Sequence, residues 1–210
     1  MFRYLIAAIA LLPLIAACSR QQEAPESAAA REPATTAQAT SEAQPAEISF
    51  AQVLELQGVT FNVISPNATA SNTVTVSTAG LEIDNSAWSQ QVDGIVTGAE
   101  VADLNVDGSP EVYVYVKSSG ADEKVSVAAY VANNRKSLSI AYMAPLSEIP
   151  GATDGYRGQD EFAVLEGVLG RRFPIHDEAG APTGRTRQLQ YTLSAGEASW
   201  ILKADQILEF

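Results

Sequence analysis

Acidic and amide side chains alternate along DLNVDGSPE, residues 103–111. Oxygen ligands at this spacing are typical of loops that bind Ca²⁺. An EF-hand count fails because its twelfth position is Val114, where a bidentate glutamate belongs. A shorter calcium loop and a plain hairpin turn at Asp-Gly both remain as interpretations. The candidate calcium ligands are Asp103, Asn105, Asp107 and Glu111.

Groups that could perform catalysis are scarce in the rest of the chain. His176 is the only histidine, and neither a GxSxG motif nor a phosphate-binding glycine-rich loop occurs. Asp160, Glu161 and Glu166 could supply a carboxyl pair for glycoside hydrolysis. Acidic residues beside a strand more often lie in solvent or pair with arginines, here Arg171 and Arg172. We therefore expect no enzymatic activity.

The chain begins with the layout of a secretory signal peptide, MFRYLIAAIALLPLIAAC, in which Arg3 precedes an apolar run that is too short for a stable membrane span. The ending LIAAC resembles the lipobox of bacterial lipoproteins, whose cysteine becomes the lipidated first residue of the mature protein. Cys18 is the only cysteine, so it cannot form an internal disulfide, and a free thiol is the alternative. We expect a signal peptide over residues 1–17 and acylation of Cys18.

The next segment, residues 18–47, is rich in Ala, Gln, Glu, Pro, Ser and Thr and has no aromatic residue. It cannot bury enough apolar surface to offset chain entropy, which predicts a disordered tether. Ser19 follows the cysteine, and in the lipoproteins that the chain resembles a residue other than aspartate there implies transfer to the outer membrane. The expected location is the periplasm, with the lipid as the only membrane contact.

From Ile48 onward, short β-branched and aromatic runs are bounded by Gly, Pro, Asn and Asp. Alternation places Val112 and Val114 on one face of a strand and Tyr113 on the other. Phe50–Leu56 could form a helical turn or a first strand. No repeat or Pro-rich break divides residues 48–210, so we expect a single mostly-β domain, an antiparallel β-sandwich.

The formal net charge of the whole chain is −12 at pH 7. Such acidity disfavours nucleic acid as a partner and favours a basic protein, because opposite charge accelerates association. No cofactor other than calcium is indicated. The sequence leaves the oligomeric state open, a homodimer included.

Four longer stretches occur in chain order: GAEVADLNVDGSPEVYVYV, AYVANNRKSLS, GYRGQDEF with EGVLGRRFP, and PTGRTRQLQYTLSAGEASW. Together they resemble one family, the bacterial periplasmic inhibitors of invertebrate-type lysozyme, over residues 61–210. The resemblance implies a compact β-sandwich that blocks a host lysozyme by placing an exposed loop in its active-site cleft. It implies no calcium requirement, and it makes DLNVDGSP a turn and EVYVYV the strand that leads to the loop.

The loop itself departs from the family, whose motif there is Ser-Gly-x-Tyr. This chain reads KSSGADEKVSVAAY and has no tyrosine at the motif position in either of two alignments, so the inhibitory residues are not carried over. Asp122 and Glu123 would bring like charge to the carboxyl pair of a lysozyme, whereas Lys124 could pair with one of those carboxylates. The candidate partner-binding residues are Ser118, Ser119, Gly120, Ala121, Asp122, Glu123 and Lys124.

The resemblance and the composition together favour a lipid-anchored envelope protein that binds and inhibits a host lysozyme, most of all the invertebrate type. The alternative is a structural or ligand-binding lipoprotein of the same fold that does not inhibit. In that case the loop is a solvated hairpin tip.

Overall fold

In the computed structural model, which describes residues 48–210, the chain forms twelve β-strands, one short 3₁₀ helix and no α-helix. The predicted signal peptide, the acylation site Cys18 and the tether lie outside the described residues and stay predictions. No helix within residues 48–210 has the length and apolar character needed to cross a membrane. The mostly-β fold class predicted from the alternating runs is confirmed.

The first four strands form an antiparallel sheet in chain order. Phe50–Leu56 is its edge strand, so the second of the two interpretations of this segment is the correct one. Val59, Phe61 and Val63 alternate with half-buried residues and point to the core, as period two requires. The strands are β1 (Phe50–Leu56), β2 (Val59–Ser65), β3 (Asn72–Ala79) and β4 (Trp88–Val92).

The remaining eight strands form a second sheet. They are β5 (Ile95–Ala102), β6 (Glu111–Lys117), β7 (Val125–Asn133), β8 (Ser137–Met143), β9 (Glu161–Leu165), β10 (Val168–His176), β11 (Pro182–Ala195) and β12 (Trp200–Glu209), in the order β5-β6-β7-β8-β12-β11-β10-β9. Neighbours are antiparallel except β8 and β12, which pair in parallel through Trp200 and Ala141. The parallel pair follows from the long connection between those strands, which carries β9–β11.

The two edges of the large sheet approach each other. Glu100 on β5 accepts the N–H of Val164 on β9 at 2.6 Å and also the hydroxyl of Tyr115. The edge strands β5 and β9 are thus joined through the Glu100 side chain, without backbone pairing between them. The large sheet is therefore curled so that its inner face encloses a core of its own.

Strand β6 lies between two hydrophobic cores. Val112, Val114 and Val116 pack toward the four-stranded sheet, in the core that also holds Phe61. Tyr113 points the opposite way, into the core enclosed by β7 and β10–β12. The alternation predicted for β6 is present, but both of its faces are buried, because the four-stranded sheet covers one face and β10–β12 of its own curled sheet cover the other.

Candidate functional site

The β6–β7 hairpin ends in residues 118–124, and this segment, here called the tip loop, contains all the predicted partner-binding residues. Residues 119–124 are exposed and Ser118 is half-buried. The Ser118 N–H donates to the Lys124 carbonyl at 2.8 Å, which closes the base of the loop. Within it, the Glu123 N–H donates to the Gly120 carbonyl at 3.3 Å. The tip loop is thus a short turned hairpin end that projects into solvent.

The charges of the tip loop are paired with one another. Lys124 Nζ lies 3.0 Å from Asp122 Oδ2, and Lys117 Nζ lies 2.8 Å from Glu123 Oε1. These side chains are between 39% and 63% exposed, so each pair contributes little to stability. The two acids predicted to repel a lysozyme carboxyl pair are therefore balanced by two lysines. Lys117 was not among the predicted site residues, since only the structure shows its partner.

A recess of about 460 Å³ opens beside the tip loop. Its polar rim includes Ser118, Lys124 and Arg171, and its apolar wall includes Met143 and Leu146. The exposed tip loop and the recess therefore lie next to each other on the surface. Such a combination of convex and concave surface suits contact with another protein.

The predicted calcium ligands lie together in the loop between β5 and β6, but their oxygens are engaged locally. Asp103 accepts the N–H groups of Asp107 and Gly108, each at 3.0 Å. Asn105 donates to the Asp107 carboxylate at 2.8 Å, and that carboxylate also accepts the Ser109 N–H at 2.8 Å. These contacts form the self-capped turn that Asp and Asn favour.

Glu111 is the buried member of the same set. Its side chain is 0% exposed, and Oε2 accepts the Leu104 N–H at 2.9 Å and the Tyr113 hydroxyl at 3.2 Å. Oε1 has no hydrogen-bond partner. Burial raises the pKa of the Glu111 carboxyl to about 7, with a smaller contribution from the charges of Asp103 and Asp107.

Within residues 48–210, no group of three or more His, Cys, Asp or Glu side chains is arranged to hold a metal ion. The Asp103 loop has a second role, because Gln57 in the β1–β2 turn donates to Asp103 at 2.7 Å and Arg135 donates to the Gln57 carbonyl at 2.7 Å. These contacts join the turns of three hairpins. The turn interpretation has a structural basis here, and calcium binding stays a prediction.

The residues considered for catalysis lie on or beside strands β9 and β10. Asp160 is buried and its Oδ1 accepts Arg171 Nε at 2.8 Å, which is the pairing that the sequence favoured over catalysis. Glu161 and Glu166 are exposed on β9 and in the turn that follows it. His176 is half-buried at the end of β10. Asp160 and Glu161 line one recess, in which the carboxylate of Asp160 is paired with Arg171.

Comparisons of the chain with protein-family models, with curated proteins and with solved structures find no match. The resemblance to the lysozyme inhibitors therefore stands on the motifs of the sequence alone.

Proposed function

We propose that this protein is an envelope lipoprotein that binds and inhibits a host lysozyme, invertebrate-type first, by inserting its tip loop into the active-site cleft. The observation that carries the proposal is the placement of that loop. It lies at the end of the β6–β7 hairpin, whose strand β6 is largely buried, and it corresponds in sequence to the inhibitory loop of the family that the chain resembles. A projecting loop on a rigid scaffold is a common form of binding element.

The lysines at the tip loop can bind in an acidic cleft if they exchange their present carboxylate partners for those of the lysozyme. Lysozymes cut glycans with two carboxyl groups that flank the scissile bond. Lys117 and Lys124 are exposed, and their present partners are held by weak surface pairs. In a cleft, either ammonium group can exchange its own carboxylate for one of the lysozyme's. Ala121 and Asp122 are the central residues of the turn that the Glu123 N–H closes onto the Gly120 carbonyl.

Long-range charge supports the same partner. The chain carries a net charge of −12, which would attract a cationic lysozyme and raise the rate of association at low salt. A lipid on Cys18 and a tether over residues 18–47 would hold the inhibitor at the outer membrane on its periplasmic side. There it would meet a lysozyme that has entered the envelope.

The proposal is tested with the mature chain from residue 18, carrying Cys18→Ser in place of the acylation site. It is titrated into invertebrate-type, chicken-type and goose-type lysozymes in a cell-wall lysis assay. We expect inhibition of the invertebrate-type enzyme at micromolar protein or below, on the order of 10⁻⁶ M. Undiminished lysis by all three enzymes at that concentration would remove the proposal.

A second candidate is a structural or ligand-binding lipoprotein that shares the fold and does not inhibit. The tip loop lacks the family's tyrosine, and both of its lysines already have partners, which favours this candidate. It predicts a folded protein without measurable lysozyme affinity. Nanomolar binding to any of the three lysozymes would dispose of it.

A further inference from the structure

The tip loop rests on a segment that is remote in sequence, residues 155–160. The Gln159 N–H donates to the Asp122 carbonyl at 3.1 Å. Gly158 has a φ of 86° and lies so close beneath Asp122 that a Cβ on it would stand 1.7 Å from that carbonyl oxygen. Only glycine satisfies both conditions. Residues 155–160, the support segment, therefore fit the underside of the tip loop closely.

Asp160 ends the support segment and contacts the other end of the tip loop. Its Oδ2 accepts the N–H of Val125, the first residue of β7, at 3.1 Å and the Tyr156 hydroxyl at 2.7 Å. Its Oδ1 accepts Arg171 Nε at 2.8 Å. Both carboxylate oxygens of a fully buried side chain are thus in use, and one of them holds the backbone where the tip loop ends.

Arg171 holds Asp160 in place from the neighbouring strand β10. Its guanidinium carbon lies 5.4 Å, 5.3 Å and 5.8 Å from the ring centroids of Tyr156, Phe162 and Phe173. A second guanidinium nitrogen donates to the Tyr156 hydroxyl at 3.2 Å. A cation enclosed by three rings and paired with a buried carboxylate has little freedom to move. The pair is therefore held in a fixed position between β9 and β10 of the large sheet.

We propose that the buried Asp160–Arg171 pair positions the tip loop for its partner, through the Val125 N–H at one end and the support segment beneath Asp122. This rests on the proposed function, because the partner whose binding is strengthened is the lysozyme. A loop held in one conformation before contact loses less entropy on binding than a mobile one. Asp160 and Arg171 act as positioning residues and do not themselves touch the partner.

The test variant is Asp160→Asn in the mature chain with Cys18→Ser. Asparagine keeps the shape but has one acceptor oxygen, so either Arg171 or the Val125 N–H must face an NH₂ group. The matched control is Glu209→Gln. Like Asp160→Asn, it replaces a carboxylate by an amide and so removes the ion-pair partner of a largely buried arginine, here Arg187. The hydrogen bonds of Glu209 go to Arg185 and Arg187 and not to the tip loop.

Two quantities are measured at a temperature where all variants are folded: the amide exchange rates of Ser118, Val125 and Gln159, and the inhibition constant against invertebrate-type lysozyme. In Asp160→Asn we expect these amides to exchange about tenfold faster or more, and inhibition to weaken by a similar factor. In Glu209→Gln we expect both quantities to match the wild type. Equal exchange in wild type and Asp160→Asn, or equal acceleration in both variants, would overturn the proposal.

The exchange measurement needs no lysozyme, so it separates the two proposals. A wild type that fails to inhibit removes the proposed function, while localised acceleration in Asp160→Asn still establishes the positioning role. If Asp160→Asn does not fold, Tyr156→Phe removes one hydroxyl and leaves the ion pair intact. It is expected to accelerate Val125 exchange about threefold, and an unchanged rate in that variant would count against the proposal.

Discussion

Lys124 Nζ lies 3.0 Å from Asp122 Oδ2, so the lysine that an acidic cleft would attract already has a carboxylate beside it in the free protein. Lys117, at the end of β6, is paired in the same way with Glu123, at 2.8 Å. Lys124 in the tip loop and Lys117 at the end of β6 thus become available to a partner only when their ion pairs with Asp122 and Glu123 break. This self-pairing gives the first prediction its direction.

Replacing both acids, in Asp122→Ser with Glu123→Ser, is expected to strengthen lysozyme inhibition. The change removes two carboxylates from a poorly hydrated cleft and frees Lys117 and Lys124 to pair with the lysozyme. Lys124→Glu should abolish inhibition, because it adds a third negative charge. Inhibition constants from lysis assays provide the measurement.

The same variants distinguish an inserting loop from a solvated hairpin tip. A solvated tip would change stability or binding by no more than about 0.5 kcal/mol in any of them, the usual range for surface substitutions. Equal inhibition constants in wild type, the double serine variant and Lys124→Glu would place the contact elsewhere, first on the support segment.

Glu111 predicts a pH dependence of stability. Its pKa is raised to about 7 in the folded protein from an ordinary value of 4.5, so between these values the folded state holds a proton that the unfolded chain releases. The stabilisation linked to this proton is complete below about pH 4.5 and is lost as the pH rises to about 7, in total roughly 3 kcal/mol. The protonated form leaves Oε2 free to accept from Leu104 and Tyr113.

Glu111→Gln carries no titrating proton and should be free of this loss. The unfolding free energies of variant and wild type are measured by urea titration at pH 4.5 and at pH 8. Between these two pH values the wild type is expected to lose roughly 3 kcal/mol more stability than the variant. Glu55→Gln, at an exposed site on β1, serves as the control and should show no such shift. If the stability difference between Glu111→Gln and the wild type were the same at both pH values, the raised pKa of Glu111 would be contradicted.

The Asp103 loop predicts how the protein responds to calcium. Because its carboxylates cap backbone N–H groups of the loop itself, we expect the melting temperature to be the same in millimolar calcium and in excess chelator. If the folded loop bound calcium, saturating metal would have to raise that temperature. A rise that disappears in Asp103→Ala would establish the calcium site.

Local pattern in the sequence was enough to predict the fold class and several of the strands, whereas the place of the tip loop came from the family resemblance. Period-two alternation predicted strands, and β6 follows it closely. It could not show that Tyr113 lies in a second core, because that depends on strands β10–β12 far along the chain. Phe50–Leu56 was ambiguous for the same reason, since its pairing with β2 decides its structure.

The candidate site was placed by the family resemblance, and the sequence showed which residue types it contains. The acids of the tip loop were visible in the sequence, but their pairing with Lys117 and Lys124 depends on how the hairpin closes. The support beneath the loop was invisible, because no local signal connects Gln159 to Asp122. The sequence suggested that acids in this region lie in solvent or pair with arginines, but it did not single out Asp160 and Arg171 as partners, and the contact of Asp160 with the tip loop was not predicted.

The central claim, that the tip loop enters the lysozyme cleft, is tested most directly by competition. The affinity of invertebrate-type lysozyme for the mature chain carrying Cys18→Ser is measured by calorimetry, with and without a saturating N-acetylglucosamine oligomer in the cleft. If the loop occupies the cleft, the oligomer must weaken binding in proportion to its own occupancy, about tenfold at ten times its dissociation constant. An affinity that is unchanged by the oligomer, or no binding in either condition, would contradict the claim.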